Sequence, residues 1–209
     1  MPEPINLIPF FIAAVVLAFT PGPSILYVMA RTVAGGRIDG IASTLGAASG
    51  GLVHVAISAI GLSAILFASA EAFTLIKYLG AAYLVYLGVR TLQQAQFSLR
   101  PLPIQASGGR RVFVEGALTE IFNVKTALFF LAFIPQFVDQ SAALMPQFLL
   151  LGLICVLFNM LADFTVVFGT TRLLPFLDDS PRAARNMNRG AGSIMIGLGA
   201  FVAFDQGRQ

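Results

Sequence analysis

Long apolar runs recur through this sequence and constrain its fold more than any other feature. A helix crossing the hydrocarbon core of a bilayer, about 30 Å thick, needs about 20 apolar residues at about 1.5 Å each. Six such runs follow one another: Ile5 to Ala30, Ile41 to Ser69, Phe73 to Leu92, Val112 to Val138, Pro146 to Thr171 and Gly190 to Phe204. The sixth has only 15 residues and is expected to borrow a turn from residues 183–189. The sequence therefore predicts an all-α integral membrane protein with six transmembrane helices.

Composition supports a lipid environment and excludes several functional classes. Hydrophobic residues make up 57% of the chain and charged residues 11%, against about 25% charged in an average soluble domain. The 13 lysines and arginines are dispersed between apolar runs, so no basic stripe for nucleic acid forms. Cys155 is the single cysteine, which excludes an intrachain disulfide, a dithiol relay or a thiolate metal cluster. We predict no cofactor and no resident metal.

The distribution of positive charge predicts the orientation of the chain in a bacterial inner membrane. Because cytoplasmic loops are enriched in lysine and arginine, the arginine-rich loops after the first, third and fifth spans are assigned to the cytoplasm. Ten arginines lie there: Arg31, Arg37, Arg90, Arg100, Arg110, Arg111, Arg172, Arg182, Arg185 and Arg189. The opposite side has Lys77 and Arg208. Both termini are therefore predicted to be periplasmic.

The start, Met1-Pro2-Glu3-Pro4, lacks the positive region of a cleaved signal peptide, so the first run is expected to remain as a helix.

The longest polar connection divides the chain into two halves of three spans. It runs from about residue 93 to 111 and contains prolines, glycines and serines. We treat residues 1–209 as one transporter domain, with repeat one at about 1–95 and repeat two at about 112–209. Because three spans per half is an odd number, two similar halves lie inverted in the membrane, as in many secondary transporters.

The first span contains a helix-breaking cluster, Thr20-Pro21-Gly22-Pro23-Ser24. Two prolines remove two backbone donors and free carbonyl groups. Irregular backbone at membrane depth is tolerated where it is buried in protein or lines a wet cavity. A half-helix starting near Ser24 would point free N–H groups at a carboxylate. A proline kink without a binding role is the alternative.

The fourth span carries three polar residues within six positions, Glu120, Asn123 and Lys125. A charge at the bilayer centre costs about 2.5–3.5 kcal/mol on insertion scales, so these groups are expected to face inward. A Glu120–Lys125 pair across an unwound turn would reduce the cost. The alternative is a buried ion pair that only fixes helix packing. The fourth helix is thus predicted to be interrupted, like the first.

Two further spans place polar groups on one helix face. Gly46, Gly50 and His54 follow at i+4 spacing in the second span, where His54 is either a packing residue or a contact for protons and substrate. Gly46 and Gly50 suit either an internal seam or a homodimer. Asn159 and Asp163 share a face of the fifth span. Asp163 has no basic neighbour in its span, so an interhelical partner, a cation or a proton must neutralise it. Asp163 is the preferred proton-coupling residue.

The order and spacing of several motifs resemble the LysE/RhtB family of amino-acid exporters, named for the export of lysine and of homoserine and threonine. The resemblance covers nearly the whole chain. It rests on these segments: Thr20-Pro21-Gly22-Pro23, Gly51-Leu52-Val53-His54, Lys77-Tyr78-Leu79-Gly80-Ala81-Ala82-Tyr83-Leu84 and Asn123-Val124-Lys125-Thr126-Ala127-Leu128-Phe129-Phe130. Two positions depart from the family pattern. Ser24 stands where an acidic residue is frequent, and Val124 stands where proline is usual.

The resemblance implies an inner-membrane exporter driven by the proton gradient. On this hypothesis the carboxylate of an amino acid meets the backbone N–H groups after Pro23 and Lys125, and its ammonium meets Glu120 or Asp163. Pro21, Gly22, Ser24, His54 and Asn123 complete the expected substrate site, and Asn159 and Glu120 assist proton coupling. The alternative function is an ion or metal carrier that uses Asp163, Glu120, Asn159 and His54 as ligands. An intramembrane enzyme built on Ser24 and His54 is disfavoured because no oxyanion motif accompanies them.

Overall fold

The computed structural model describes residues 7–68, 70–93, 108–139, 141–178 and 181–204, and their regular structure is entirely helical. The helices are α1 (Leu7–Phe19), α2 (Pro23–Ala68), α3 (Ala70–Gln93), α4 (Gly109–Ile121), α5 (Val124–Ala132), α6 (Leu144–Asp178) and α7 (Pro181–Phe204). A 3-10 turn, Ile134–Phe137, continues α5. The all-α prediction is confirmed for these ranges. Most of the polar linker, residues 94–107, and the termini lie outside them.

The first span is interrupted where the proline cluster predicted it. Helix α1 ends at Phe19 and α2 begins at Pro23. Pro23 opens α2 because a proline at the first helical position loses no intrahelical hydrogen bond and already has a helical φ. The first backbone hydrogen bond of α2 runs from the Leu26 N–H to the Gly22 carbonyl, at 3.1 Å.

The connection expected between the first two spans is helical instead. Residues 31–40 continue α2, which changes direction at Gly36 with φ 72° and ψ −165°. Only glycine adopts this backbone conformation without strain, so a single residue makes the turn. We refer to residues 23–35 as α2a and to residues 37–68 as α2b. The placement of Arg31 in a loop was therefore wrong, and Arg31 is a buried helical residue.

The fourth span is broken although Val124 replaces proline. Helices α4 and α5, with the following 3-10 turn, are bent by 48°. Asn123 makes the break: its side-chain oxygen accepts a hydrogen bond from the Lys125 N–H at 3.1 Å and caps the N-terminus of α5. An N-cap asparagine satisfies a donor that the interrupted helix leaves free. The predicted interruption of helix four is confirmed.

Glycines bring α2b and α4 into backbone contact. A Cβ atom at Gly46 would lie 2.0 Å from the carbonyl oxygen of Phe113, and one at Gly50 would lie 2.5 Å from that of Ala117. Because both residue numbers increase together, the two helices run parallel. Gly46 and Gly50 therefore serve an internal seam, the first of the two roles that the sequence allowed.

A second glycine seam joins α3 to α7. A Cβ atom at Gly88 would lie 2.7 Å from the Gly192 carbonyl oxygen, and one at Gly199 would lie 2.8 Å from that of Ala81. Here the residue number in α3 rises while that of its partner in α7 falls, so these helices are antiparallel. Helix α7 has 24 residues, which confirms that the short sixth run borrows residues from its N-terminal side.

By length and apolar composition, two helical segments within the described ranges suit a membrane crossing, Pro23–Gly61 and Leu144–Thr170. The bent pair of Gly109–Ile121 and Val124–Phe137 makes a third if it counts as one span. The count of six spans stays a prediction.

The core of the molecule is rich in phenylalanine, including Phe10, Phe129, Phe133 and Phe148, all at most 2% exposed.

Candidate functional site

The two helix breaks and the middle of α6 enclose a polar cavity. Its polar lining is Ser24, Glu120, Asn123, Lys125, Thr126, Asn159 and Asp163. Apolar side chains complete the wall, among them Ile25, Phe130, Val156 and Met160. The free volume is about 20 Å³, which is room for about one water molecule. The arrangement is therefore closed around its polar groups, and a larger guest enters only when helices move apart.

Lys125 joins the two breaks to each other. Its ammonium donates hydrogen bonds to the carbonyl oxygens of Leu17 at 3.0 Å and Thr20 at 2.9 Å. These carbonyls end α1, where the proline cluster has removed their helical partners. A cation at a helix C-terminus is also favoured by the helix dipole. Lys125 also lies in the electrostatic field of Glu120, the pairing that the sequence suggested, while its hydrogen bonds go to α1.

Glu120 is held by Asn123 across the break in span four. The Asn123 side-chain amide donates to Glu120 Oε2 at 3.0 Å, and both residues are buried. Gly50 leaves space for this carboxylate, since a Cβ atom there would lie 2.9 Å from the Glu120 Cβ. Asn123 thus caps α5 with its oxygen and binds Glu120 with its nitrogen.

His54 supports the break from outside the cavity lining. Its Nε2 lies 2.9 Å from the Glu120 carbonyl oxygen, an acceptor that it shares with the Asn123 N–H, also at 2.9 Å. Since a carbonyl only accepts, His54 Nε2 carries the proton. The first of its two expected roles, a hydrogen-bonded packing residue, is the one that this contact represents. His54 is not among the residues that line the cavity.

Asp163 and Asn159 face the cavity from consecutive turns of α6. The Asp163 carboxylate is buried and lies in the electrostatic field of both Lys125 and Glu120. Lys125 on α5 is an interhelical positive charge near Asp163, one of the three ways to neutralise this carboxylate that the sequence left open. Two carboxylates and one ammonium share a small volume, so its net formal charge is −1 when all three are ionised.

The proline cluster contributes one cavity residue, Ser24. Pro21, Gly22 and Pro23 are not in the lining, although Gly22 packs under the lysine, where an added Cβ atom would lie 3.0 Å from Lys125 Nζ. Because α2 starts at Pro23, the N–H groups of Ser24 and Ile25 have no partner within the helix. They belong to residues that line the cavity, at the positive end of the α2a dipole.

Sequence reasoning missed a second charged cluster, between α2a and α4. Arg31 forms an ion pair with Glu115, and Glu115 also accepts from Arg111 Nε at 2.8 Å. The Tyr27 hydroxyl lies 2.9 Å from Glu115 Oε2 and 3.0 Å from Arg31 Nε. The i+4 spacings of Tyr27 with Arg31 and of Arg111 with Glu115 were visible signals, but the contact between the helices spans 84 residues of sequence.

No group of three or more His, Cys, Asp or Glu side chains in the described ranges is arranged to hold a metal ion. The cavity has two carboxylates, Glu120 and Asp163, and His54 is turned toward the backbone.

Comparison with known proteins places these observations in a family. The family model described as LysE type translocator matches residues 15–206. An uncharacterized membrane protein of Pseudomonas aeruginosa is 32% identical over 93% of this chain and 93% of its own length. The homoserine/homoserine lactone efflux protein of Salmonella typhimurium is 26% identical over 93% and 94%, respectively. The threonine efflux protein of Escherichia coli is 28% identical over 90% and 92%. No solved structure matches.

Proposed function

This chain belongs to the LysE type translocator family, and from that premise we propose that it exports amino acids or related small zwitterionic metabolites by proton antiport. It is a membrane translocator and not an enzyme. Export is supported by the relatives, which include a homoserine/homoserine lactone efflux protein and a threonine efflux protein that match over nine-tenths of this chain or more. The proton and the substrate class follow from the charges of the cavity.

The charge balance of the cavity is the observation that carries this proposal. Glu120 and Asp163 bring two negative charges, and the positive charge of Lys125 is already bound to the end of α1. An uncompensated charge in a low-dielectric site costs several kcal/mol, about 3 to 5 where one partner of a buried pair is removed. The cavity therefore takes up one further positive charge. A proton on a carboxylate and the ammonium of a substrate both satisfy that requirement, and each makes the other unfavourable.

This exclusion is the physical basis of antiport. A protonated cavity binds an ammonium weakly, so a proton arriving from outside expels the substrate. Loss of the proton toward the cytoplasm restores the binding site. Asp163, to which no side chain among the described residues donates as Asn123 does to Glu120, is the proposed proton carrier. Asn159, one turn away on α6, lines the same cavity.

The carboxylate of the substrate has a separate place in this proposal. The N–H groups of Ser24 and Ile25 lie in the first turn of α2a, and both residues line the cavity, at a helix end whose dipole favours an anion. Ser24 adds a neutral hydroxyl group at a position that is frequently acidic in the family that the sequence resembles. A neutral residue here leaves the ammonium to Glu120 and Asp163 alone.

The proposed setting is a bacterial inner membrane crossed six times, with two inverted three-helix repeats. Both proposed repeats begin with a broken span, α1 with α2a and α4 with α5. A twofold rotation that swaps the two proposed repeats would swap α3 with α7. Because these helices are antiparallel, their contact would be unchanged by that rotation. Alternating access would come from movement of one repeat against the other around the two breaks.

Efflux from reconstituted liposomes tests the proposal. Purified protein is inserted into liposomes loaded with labelled threonine, homoserine, leucine or lysine, and a pH gradient with an acidic exterior is imposed. At least one amino acid is expected to leave faster than from protein-free liposomes. Asp163→Asn is expected to remove the response to the gradient, because the variant cannot bind the coupling proton at this position.

Asp139→Asn is the matched control, since it also neutralises one carboxylate but lies in the connection before α6. The hydroxyl and the backbone N–H of Ser141 hold the pKa of the Asp139 carboxyl below its usual value, so the control loses a full negative charge. Its efflux should match that of the unmodified protein. A panel in which inorganic cations move and no amino acid does would refute the export proposal in favour of an ion carrier.

A further inference from the structure

A cluster of charged side chains ties α2a to α4 on one side of the cavity. Arg31 is buried, with its side chain 5% exposed, and pairs with the Glu115 carboxylate. The Tyr27 hydroxyl donates to Glu115 at 2.9 Å and lies 3.2 Å from the Val112 carbonyl oxygen. Arg111 holds the second carboxylate oxygen of Glu115 from the surface. One carboxylate thus joins the two helices through several hydrogen bonds.

The cluster lies between the cavity and the arginine-rich end of the molecule. Arg31 follows Ser24 by seven residues in α2a, a rise of about 10 Å. Glu115 precedes Glu120 by five residues in α4, a rise of about 7.5 Å. The path from Ser24 to Arg31 and the path from Glu120 to Glu115 both lead away from the cavity, toward the end of the molecule that contains Arg37 and Arg110. Any path from that end to Ser24 and Glu120 along these helices passes Arg31 and Glu115.

The contact at the other side of the cavity is an ammonium bound to backbone carbonyls instead of an ion pair. There Lys125 of α5 binds the carbonyl oxygens of Leu17 and Thr20 at the end of α1. Each side therefore joins one half of the broken first span to one half of the broken fourth span. The breaks allow each pair of half-helices to separate while the other pair stays together.

We propose that the Arg31–Glu115 pair, with Tyr27, is the gate that closes the cavity at its arginine-rich end and opens to admit substrate. This inference rests on the proposed transport function and assigns one gating contact within it. An ion pair suits such a gate, since water entering on opening hydrates the Arg31 charge that the closed state buries, while Glu115 is already 32% exposed. Arg111 is 74% exposed on its side chain, so it can stay with Glu115 after Arg31 separates.

Accessibility of a cavity cysteine tests the gate without measuring transport. Ser24→Cys is introduced into a Cys155→Ala background, and its rate of reaction with a charged, membrane-impermeant thiosulfonate is measured in vesicles of both orientations. Glu115→Gln and Arg31→Gln are each expected to raise the rate at least about tenfold from the arginine-rich face, as for loss of one charge-assisted hydrogen bond. The rate from the opposite face should stay unchanged. Tyr27→Phe removes only a hydroxyl group and should give a smaller increase from the same face.

Arg110→Gln is the control. It removes an exposed positive charge next to Arg111 in the first turn of α4, but Arg110 itself does not pair with Glu115. Its labelling rate should equal that of the parent. Unchanged rates in Glu115→Gln, Arg31→Gln and Tyr27→Phe, or equal increases from both faces, would overturn the gate. If the gate variants respond as expected while the parent exports no amino acid in liposomes, the gate stands and the proposed substrate class fails.

Discussion

Asn123 connects the structural and the chemical parts of the cavity. Its side-chain oxygen caps α5 and its side-chain nitrogen binds Glu120. A helix break in the fourth span would otherwise leave both the Lys125 N–H and the Glu120 carboxylate without these partners. The residue therefore fixes the position of the carboxylate relative to the ammonium of the next helix.

Two substitutions of Asn123 separate its two contacts. Asn123→Ala is expected to lower the free energy of unfolding by about 1 to 3 kcal/mol, because it removes an N-cap and leaves a buried carboxylate with one fewer donor. Asn123→Asp keeps the cap oxygen but places a second carboxylate against Glu120. We expect it to destabilise the protein more than alanine does, because an uncompensated buried charge costs about 3 to 5 kcal/mol, and to reduce efflux more strongly. Thermal unfolding in detergent and liposome efflux measure the two effects, and equal losses in both assays for both variants would contradict the division of roles.

The sequence predicted which polar side chains line the cavity better than it predicted their partners. Glu120, Asn123, Lys125, Asn159 and Asp163 all line the cavity, because polar groups in apolar spans must face inward. Their pairing was not predictable in the same way. Lys125 binds carbonyls that lie 105 and 108 residues away in the chain, a contact that only the tertiary structure creates.

Parallel packing of α2b against α4 sets the position of the fourth-span break. The seam at Gly46 and Gly50 brings the α4 backbone within contact distance, and one turn further His54 meets the Glu120 carbonyl. Small residues permit such close approach of membrane helices. The contact between α2b and α4 therefore positions the end of α4, and with it the helix break that borders the cavity.

Gly46→Ala tests this seam. The added methyl group would lie 2.0 Å from a backbone carbonyl of Phe113, which cannot rotate away, so the helices must separate. Overpacking of this kind typically costs about 1 to 3 kcal/mol, and we expect the loss as a lower midpoint of thermal unfolding. Gly61→Ala on the same helix is the control, since nothing lies within 4 Å of its added Cβ. A Gly46→Ala variant as stable as Gly61→Ala would show that the seam does not hold the helices together.

The helix breaks were predictable because their causes are local. Proline at positions 21 and 23 and polar residues at 120 to 125 act on their own turn of helix. The six-span prediction placed a reversal between residues 30 and 41, but not its form: a helical connection that turns at Gly36 alone was not predicted, because a glycine pair can also continue a helix or begin a loop. Its left-handed conformation follows from the contacts of α2a and α2b with the rest of the molecule. The buried position of Arg31 is a consequence of that turn.

The two cavity closures and the two breaks together support the proposed plan of two related halves. Each proposed repeat contributes one broken span, and each closure joins a half-helix of one repeat to a half-helix of the other. The α3–α7 seam pairs the third span of each repeat in antiparallel fashion. This packing is the arrangement that an inverted repeat requires, whereas a repeat in the same orientation would make α3 and α7 parallel.

The predicted topology gives this plan its most direct test. Nine of the 13 lysines and arginines, in addition to the buried Arg31, lie on one side if the chain crosses the membrane six times, and positive loops remain cytoplasmic. A reporter enzyme active only in the periplasm should therefore be active when fused after Gln209 and inactive when inserted in the linker at about residue 104. A fluorescent protein that matures only in the cytoplasm should show the reverse. Five crossings would place the C-terminus with the linker and scatter the arginines over both sides, so a cytoplasmic C-terminus would exclude an inverted pair of three-span repeats.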